Sequence, residues 1–286
     1  MIGHKKLDQC DIKGTPNMKK LAASLLVLCT ALCSFAGCGK TSAPAPTELI
    51  VFAAASMTET LTALGEQYTT DHPDVTIRFN FDSSGTLKTQ IQEGAACDIF
   101  ISAGQPQMDQ LDASVNTAGD NFLLAGSRFD ILENKVALAV PDGNPANIHS
   151  YEDLVAGLQS GNVMLAMGNS DVPVGQYTQK LLNYFELNED ALSAAGSLTY
   201  ASNAKEVTTQ IGEALVDCGI IYQTDAFSAG LTVVDTASAE MCGQVIYPAA
   251  IIKTSEHSEA ARAFLDFLIS DAGDEIFSSV GFTPIA

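Results

Sequence analysis

From residue 49 onward the chain repeats one alternation. A short, unbroken apolar run gives way to a longer stretch whose apolar residues recur every three to four positions. Leu49-Ile50-Val51-Phe52-Ala53 is such a run, and Met57, Leu61, Leu64 and Tyr68 follow it at helical spacing. Val75 to Phe81 then alternates as a strand, Leu87 to Glu93 reads as a helix, Cys97 to Ile101 as a buried strand, and Pro106 to Leu111 opens another helix. Parallel neighbours in a sheet need a crossover between them, so a βαβαβα order predicts a mostly parallel sheet with helices on its faces.

The pattern starts again further along. Val136 to Val140, Val163 to Met167, Cys218 to Tyr222 and Val245 to Ile252 read as strands. Tyr151 to Leu158, Val174 to Phe185, Val207 to Leu215, Glu256 to Ile269 and Asp271 to Val280 read as helices. This suits two α/β lobes of about 100 residues each, with the last strand and helices in excess for the second. The expected architecture is therefore two-lobed, its sheets mostly parallel with one edge or crossing antiparallel strand per lobe. Lobe one takes 48–127 plus 245–286 and lobe two takes 128–244. The chain crosses near 127–140 and returns near 245–252. Two crossings form a hinge, and ligands bind in the cleft it spans.

The N-terminal 37 residues read as a leader. Met18-Lys19-Lys20 is a basic start, Leu21 to Leu32 is an apolar stretch too short for an ordinary membrane span, and small residues precede Cys38. Residues 1–17 fit neither a signal nor a domain, and Met18 is a candidate start. Ala36-Gly37-Cys38 resembles the lipobox of bacterial lipoproteins, which implies lipidation of Cys38. Residues 38–47 carry Pro44 and Pro46 and read as a tether. The implied location is the outer face of the cell membrane or the periplasm, with membrane contact through the anchor alone.

The chain carries a net charge of −20, and residues 1–37 hold five lysines against two aspartates, leaving −23 on the remainder. That balance disfavours nucleic acid and anionic membrane surfaces as partners. Of seven cysteines only Cys97, Cys218 and Cys242 lie beyond the leader and tether. An odd number without CxxC spacing implies neither a zinc site nor a disulfide framework. Three histidines follow the leader, His72, His149 and His257, and no GxSxG, HExxH or phosphate-loop motif is present. The sequence thus demands no turnover and no cofactor.

The strand-to-helix turns share a different chemistry. In α/β sheets ligands sit beyond the carboxyl ends of strands, where helix N-termini offer unpaired N–H groups. Ala53-Ala54-Ala55-Ser56, Asp82-Ser83-Ser84-Gly85-Thr86, Asn169 to Gly175 and Asn203 to Val207 are small or hydroxylic turns of this kind, and Tyr222 ends a buried strand. Ser56-Met57-Thr58-Glu59 also fits a capping box, and Lys205 reads as a solvated charge. Neutral donors recur at these turns without an obligatory cation, which suits a dehydrated anion. The negative exterior is screened within about 8 Å at physiological salt.

At these residues the chain resembles the molybdate-binding proteins of ABC transporters. The likeness runs through Val51-Phe52-Ala53-Ala54-Ala55-Ser56, Ser83-Ser84-Gly85-Thr86-Leu87, Val172-Pro173-Val174-Gly175-Gln176-Tyr177, Gly219-Ile220-Ile221-Tyr222 and Tyr247-Pro248, in order across 48–286. The resemblance implies a periplasmic-binding-protein fold of type II kind closing on molybdate or tungstate. It implies that Ser56 and Ser84 donate hydroxyl and backbone bonds, Val174 and Val207 backbone N–H bonds, and Tyr222 its phenol. Gly85 stands where the family often has a third hydroxyl. The metal would be held as its oxyanion with no direct protein ligand, and a monomer would deliver it to a membrane permease. The alternatives are another ligand, such as sulfate, phosphate with Asp82 as its proton acceptor, or a small organic acid, and a surface interaction protein.

Overall fold

The computed structural model describes residues 46–286; the leader, Cys38 and all but the last two residues of the tether lie outside them. The first lobe opens with β1 (Thr47–Ala54), a single 3-10 turn (Ala55–Met57), α1 (Thr58–Asp71), β2 (Val75–Asp82), α2 (Ser84–Gln92), β3 (Ile99–Ile101) and α3 (Gln105–Asp109). β1 pairs in parallel with β2 on one side and β3 on the other. Alternation along β1 sends Leu49, Val51 and Ala53 into one core layer and Phe52 into another, beside Phe100, Leu87 and Ile91. Both faces are covered, which is why the run is unbroken in apolar residues.

β4 (Phe129–Asn134) joins this first sheet, and β5 (Val136–Val140) belongs to the second. Only Lys135 separates them, so the crossing comes later than the boundary drawn at 127/128. The second lobe continues with α4 (Tyr151–Ser160), β6 (Leu165–Gly168), α5 (Pro173–Tyr184), α6 (Glu189–Ala194), β7 (Leu198–Ala201), α7 (Ala204–Gly212), β8 (Cys218–Tyr222), α8 (Gln223–Ala229), β9 (Thr232–Thr236) and α9 (Ala239–Cys242). Its sheet has the order β7-β6-β8-β5-β9, parallel except where β5 runs against both its neighbours.

The chain returns through β10 (Val245–Ile251), antiparallel to β3 and β4, then α10 (Ser258–Leu268), α11 (Asp271–Ser279) and the short edge strand β11 (Thr283–Pro284). Helix α10 buries Ala261, Phe264, Leu265 and Leu268, one stripe of its surface. Phe264 meets Tyr68 of α1 edge-on at 5.1 Å, which fixes the returning segment on lobe one. The first sheet thus carries two antiparallel strands, β10 and the two-residue β11, and the second carries one. Cys97, Cys218 and Cys242 are free and buried, and burial pushes each thiol up, so they pack as small apolar side chains. Among the described residues no helix is long and apolar enough to cross a membrane.

Candidate functional site

Three helices and the 3-10 turn begin at one place. α2 starts at Ser84, α5 at Pro173 and α7 at Ala204, and the turn starts at Ala55. Residues from each line a single cavity between the lobes. The first amides of a helix have no acceptor within it, and Ser84, Val174 and Ala204, each in the first turn of its helix, line the cavity. Each helix end adds roughly half a positive charge. Pro173 occupies the first position of α5, where its missing N–H costs no bond. The cavity is small, about 10 Å³, room for about one water molecule with the lobes in this arrangement. Among the described residues no Lys, Arg or His lines it and Asp82 is the only charged residue that does; its Oδ1 already accepts the Ser83 N–H at 2.7 Å.

Side chains complete the donor set. Ser84 Oγ accepts the Ala103 N–H at 3.0 Å, which leaves the hydroxyl proton to give. Ser83 is consumed as the cap of α2: its Oγ accepts the Thr86 N–H at 3.1 Å and donates to Thr86 Oγ1 at 2.9 Å. Ser56 Oγ lies 3.0 Å from the Tyr247 hydroxyl, which accepts from Asn134 Nδ2 at 3.2 Å. A phenol has one proton to give. Either hydroxyl can donate in the Ser56–Tyr247 pair; in the arrangement where Tyr247 gives its proton to Ser56 Oγ, the serine proton is free for the cavity. Tyr222 is fully buried and its hydroxyl donates to the Ala103 carbonyl at 3.4 Å, too long to hold it firmly. Burial, reinforced by Tyr247, Tyr177 and Asp225, holds the Tyr222 phenol well above its ordinary pKa, so it keeps its proton and can donate.

Ser56, Ser84, Val174 and Tyr222 therefore come together, as expected from sequence. Val207 does not line the cavity. It sits in the core under α7 with Ile211, Ile221 and Ala226, and its N–H reaches back to the Asn203 carbonyl at 3.4 Å. Asn203 caps the helix by accepting the Glu206 N–H at 3.0 Å, so the first helical residue, Ala204, takes the lining position instead. The Ser56 capping box does not form either: no side chain caps the turn or α1, because Ser56 lies inside the turn and the cap positions fall to Ala54 and Met57. Gly175 serves packing rather than an opening toward the guest, since a Cβ there would lie 2.1 Å from the Asn169 carbonyl oxygen. Lys205 is not a solitary surface charge; its ammonium pairs with Glu59 of the opposite lobe. His72, His149 and His257 are all exposed and none lines the cavity.

Four residues around the site were not singled out from sequence for these roles: Ala204, Tyr247, Asn134 and Asp225. Asp225 is fully buried at the start of α8, and its Oδ2 has no hydrogen-bond partner. Burial raises its pKa to about 7, with the Glu59 charge adding to the rise and Lys205 opposing it. Among the described residues no cluster of three His, Cys, Asp or Glu could hold a metal ion.

Residues 49–283 match the family described as bacterial extracellular solute-binding protein. The Mycobacterium tuberculosis molybdate-binding protein ModA is 34% identical over 236 residues, 82% of this chain and 84% of that one. The Bacillus subtilis protein YvgL, provisionally named an ABC transporter substrate-binding lipoprotein, is 28% identical over 271 residues, 93% and 99% of the two chains. Among solved structures, the Azotobacter vinelandii periplasmic molybdate-binding protein shares the fold with a TM-score of 0.72, at 22% identity over 83% of this chain and all of that one. By sequence along nearly its whole described length, and by its two-lobed fold, the chain belongs to the bacterial extracellular solute-binding proteins.

Proposed function

We propose that the protein captures molybdate or tungstate outside the cytoplasm and delivers it to an ABC importer, without chemical turnover and without a cofactor. The observation that carries this reading is the convergence of three helix N-termini, a 3-10 turn and the hydroxyls of Ser56, Ser84 and Tyr222 on a small cavity that no cationic side chain among the described residues lines. A fully deprotonated oxyanion accepts at every oxygen and needs no proton acceptor from its host. Each hydrogen bond to a charged acceptor contributes roughly 1.5–3 kcal/mol, so neutral donors suffice. The names of relatives such as the Mycobacterium tuberculosis ModA support the choice among anions. On this reading Ser56, Ser84, Val174, Ala204 and Tyr222 hold the anion, and the protein acts as a monomer tethered through a lipid on Cys38.

Calorimetry of the chain with molybdate, tungstate, sulfate and phosphate tests the proposal. Molybdate and tungstate are expected to bind one to one, with sulfate weaker by at least about a hundredfold, near 3 kcal/mol. A preference for sulfate overturns the choice of anion. A preference for phosphate points instead to Asp82 accepting a proton from its guest.

A further inference from the structure

Gly85 and Asp171 meet across the cleft more closely than any side chain would allow. A Cβ built on Gly85, in the first turn of α2, would lie 2.4 Å from the Asp171 carbonyl oxygen and 3.2 Å from its carbon. Gly104, also on lobe one, faces the same loop more loosely: its Cβ would lie 3.4 Å from Pro173 Cβ and 3.2 Å from Gln107 Oε1. The loop opposite is stiff. The Asn169 N–H donates to the Ala201 carbonyl at 2.8 Å, the Val172 N–H donates to the Asn169 carbonyl at 3.0 Å, and Gln176 Nε2 donates to the Ser170 carbonyl at 3.0 Å. Gly175 packs against Asn169 and Gly168 from within. A backbone oxygen held this way cannot swing aside as a flexible side chain would.

Other contacts join the lobes around this point. Gln107 Nε2 donates to Gln176 Oε1 at 3.1 Å, Tyr222 reaches the Ala103 carbonyl, and Lys205 pairs with Glu59. Each of these contacts involves at least one side chain. Gly85 and Asp171 are backbone against backbone, so they limit how far the lobes can close.

We propose that Gly85 is the seat on which lobe two rests when the cleft closes over its guest, and so a positioning residue for binding; this rests on the reading of the cleft given above. Any side chain at 85 props the lobes apart and lowers the population of the closed form. Affinity falls by the same factor, because a guest bound only by the closed form sees only that fraction. Gly85 is also a helical glycine in a position where alanine is favoured, so its replacement does not weaken the anion-free fold.

The test uses the full chain with Glu59→Cys and Lys205→Cys, whose side chains meet only when the lobes close, and a short bis-maleimide read by peptide mass mapping. Closure is measured with and without molybdate, in the Gly85 and Gly85→Ala backgrounds. Without molybdate, cross-linking is expected to slow by at least about tenfold in Gly85→Ala, and the molybdate concentration that gives half-maximal cross-linking is expected to rise by the same factor. The anion-free unfolding midpoint should stay level or rise by about 2–4 °C. Gly104→Ala, with its looser contact, should fall between the two. Equal cross-linking rates would overturn the proposal, and so would a drop in the anion-free midpoint as large as that of Gly175→Ala, which marks a packing role. If molybdate changes nothing in the Gly85 background, the assignment of the anion fails, while the anion-free comparison still decides the role of Gly85.

Discussion

Ser84→Ala separates two contributions that one hydroxyl makes. In the anion-free protein, Ser84 Oγ is the acceptor for the Ala103 N–H at 3.0 Å, and both residues are buried. Removing it strands a buried donor at a cost of about 1–3 kcal/mol. For a unit of this size that lowers the unfolding midpoint by roughly 2–10 °C. That loss is the same with or without guest and cancels from the affinity. What affinity loses is the hydroxyl proton pointed at the anion, roughly 1.5–3 kcal/mol, which is about ten- to 150-fold in Kd. Scanning calorimetry reads the first quantity and a molybdate titration the second. Tyr222→Phe is the companion: its existing bond at 3.4 Å is weak, so the midpoint should move by less than about 2 °C while affinity falls by a similar factor. Wild-type affinity in Ser84→Ala would refute the donor role whatever happens to stability.

Three further outcomes follow from the geometry. The Asn134–Tyr247–Ser56 chain predicts that Tyr247→Phe and Ser56→Ala are non-additive in a double-mutant cycle of molybdate affinity, with a coupling of about 0.5–3 kcal/mol; strict additivity would mean Tyr247 does not orient the serine. Asp225 has a folded pKa near 7 against about 3.9 unfolded, so between those values the folded state holds a proton that the unfolded state has lost. Stability then falls as pH rises through that window, and Asp225→Asn should gain on wild type from pH 5 to pH 7 by about 1.4 kcal/mol per unit, read by denaturant titration; a constant difference would contradict the assignment. The net charge of −20 with no cation at the cavity predicts that added salt speeds molybdate association in stopped flow and leaves dissociation nearly unchanged. Salt that slows association would indicate a cationic entry path.

Most of the fold could be read from the chain because the buried strands are unbroken apolar runs and the helices carry one apolar stripe. Phe129 to Asn134 escaped because it runs into Val136 with only Lys135 between, so two strands in two sheets read as a loop and one strand. α8 escaped for a related reason: Gln223 follows Tyr222 directly, with no turn residue to announce a helix. At the site, the hydroxyls and Tyr222 were legible as turn chemistry, whereas the choice between Val207 and Ala204 depended on where α7 begins. The signal was present in Asn203 followed three residues later by Glu206: Asn203 Oδ1 accepts the Glu206 N–H at 3.0 Å, and Glu206 Oε2 accepts the Ser202 N–H at 2.8 Å. Reading that pair as a cap puts Ala204 first and turns Val207 inward. The Tyr247 relay was not legible, because it joins residues 191 and 113 positions apart that only the returning strand β10 brings together.

Anomalous diffraction from a crystal of the chain grown with molybdate tests the central claim most directly. A single molybdenum peak is expected in the cavity, with oxygens about 2.7–3.1 Å from Ser56 Oγ, Ser84 Oγ, Tyr222 Oη and the Val174 and Ala204 amides, and with no lysine or arginine among the contacts. A peak beside a cationic side chain, or an empty cavity in a crystal that carries molybdenum elsewhere, would contradict the account.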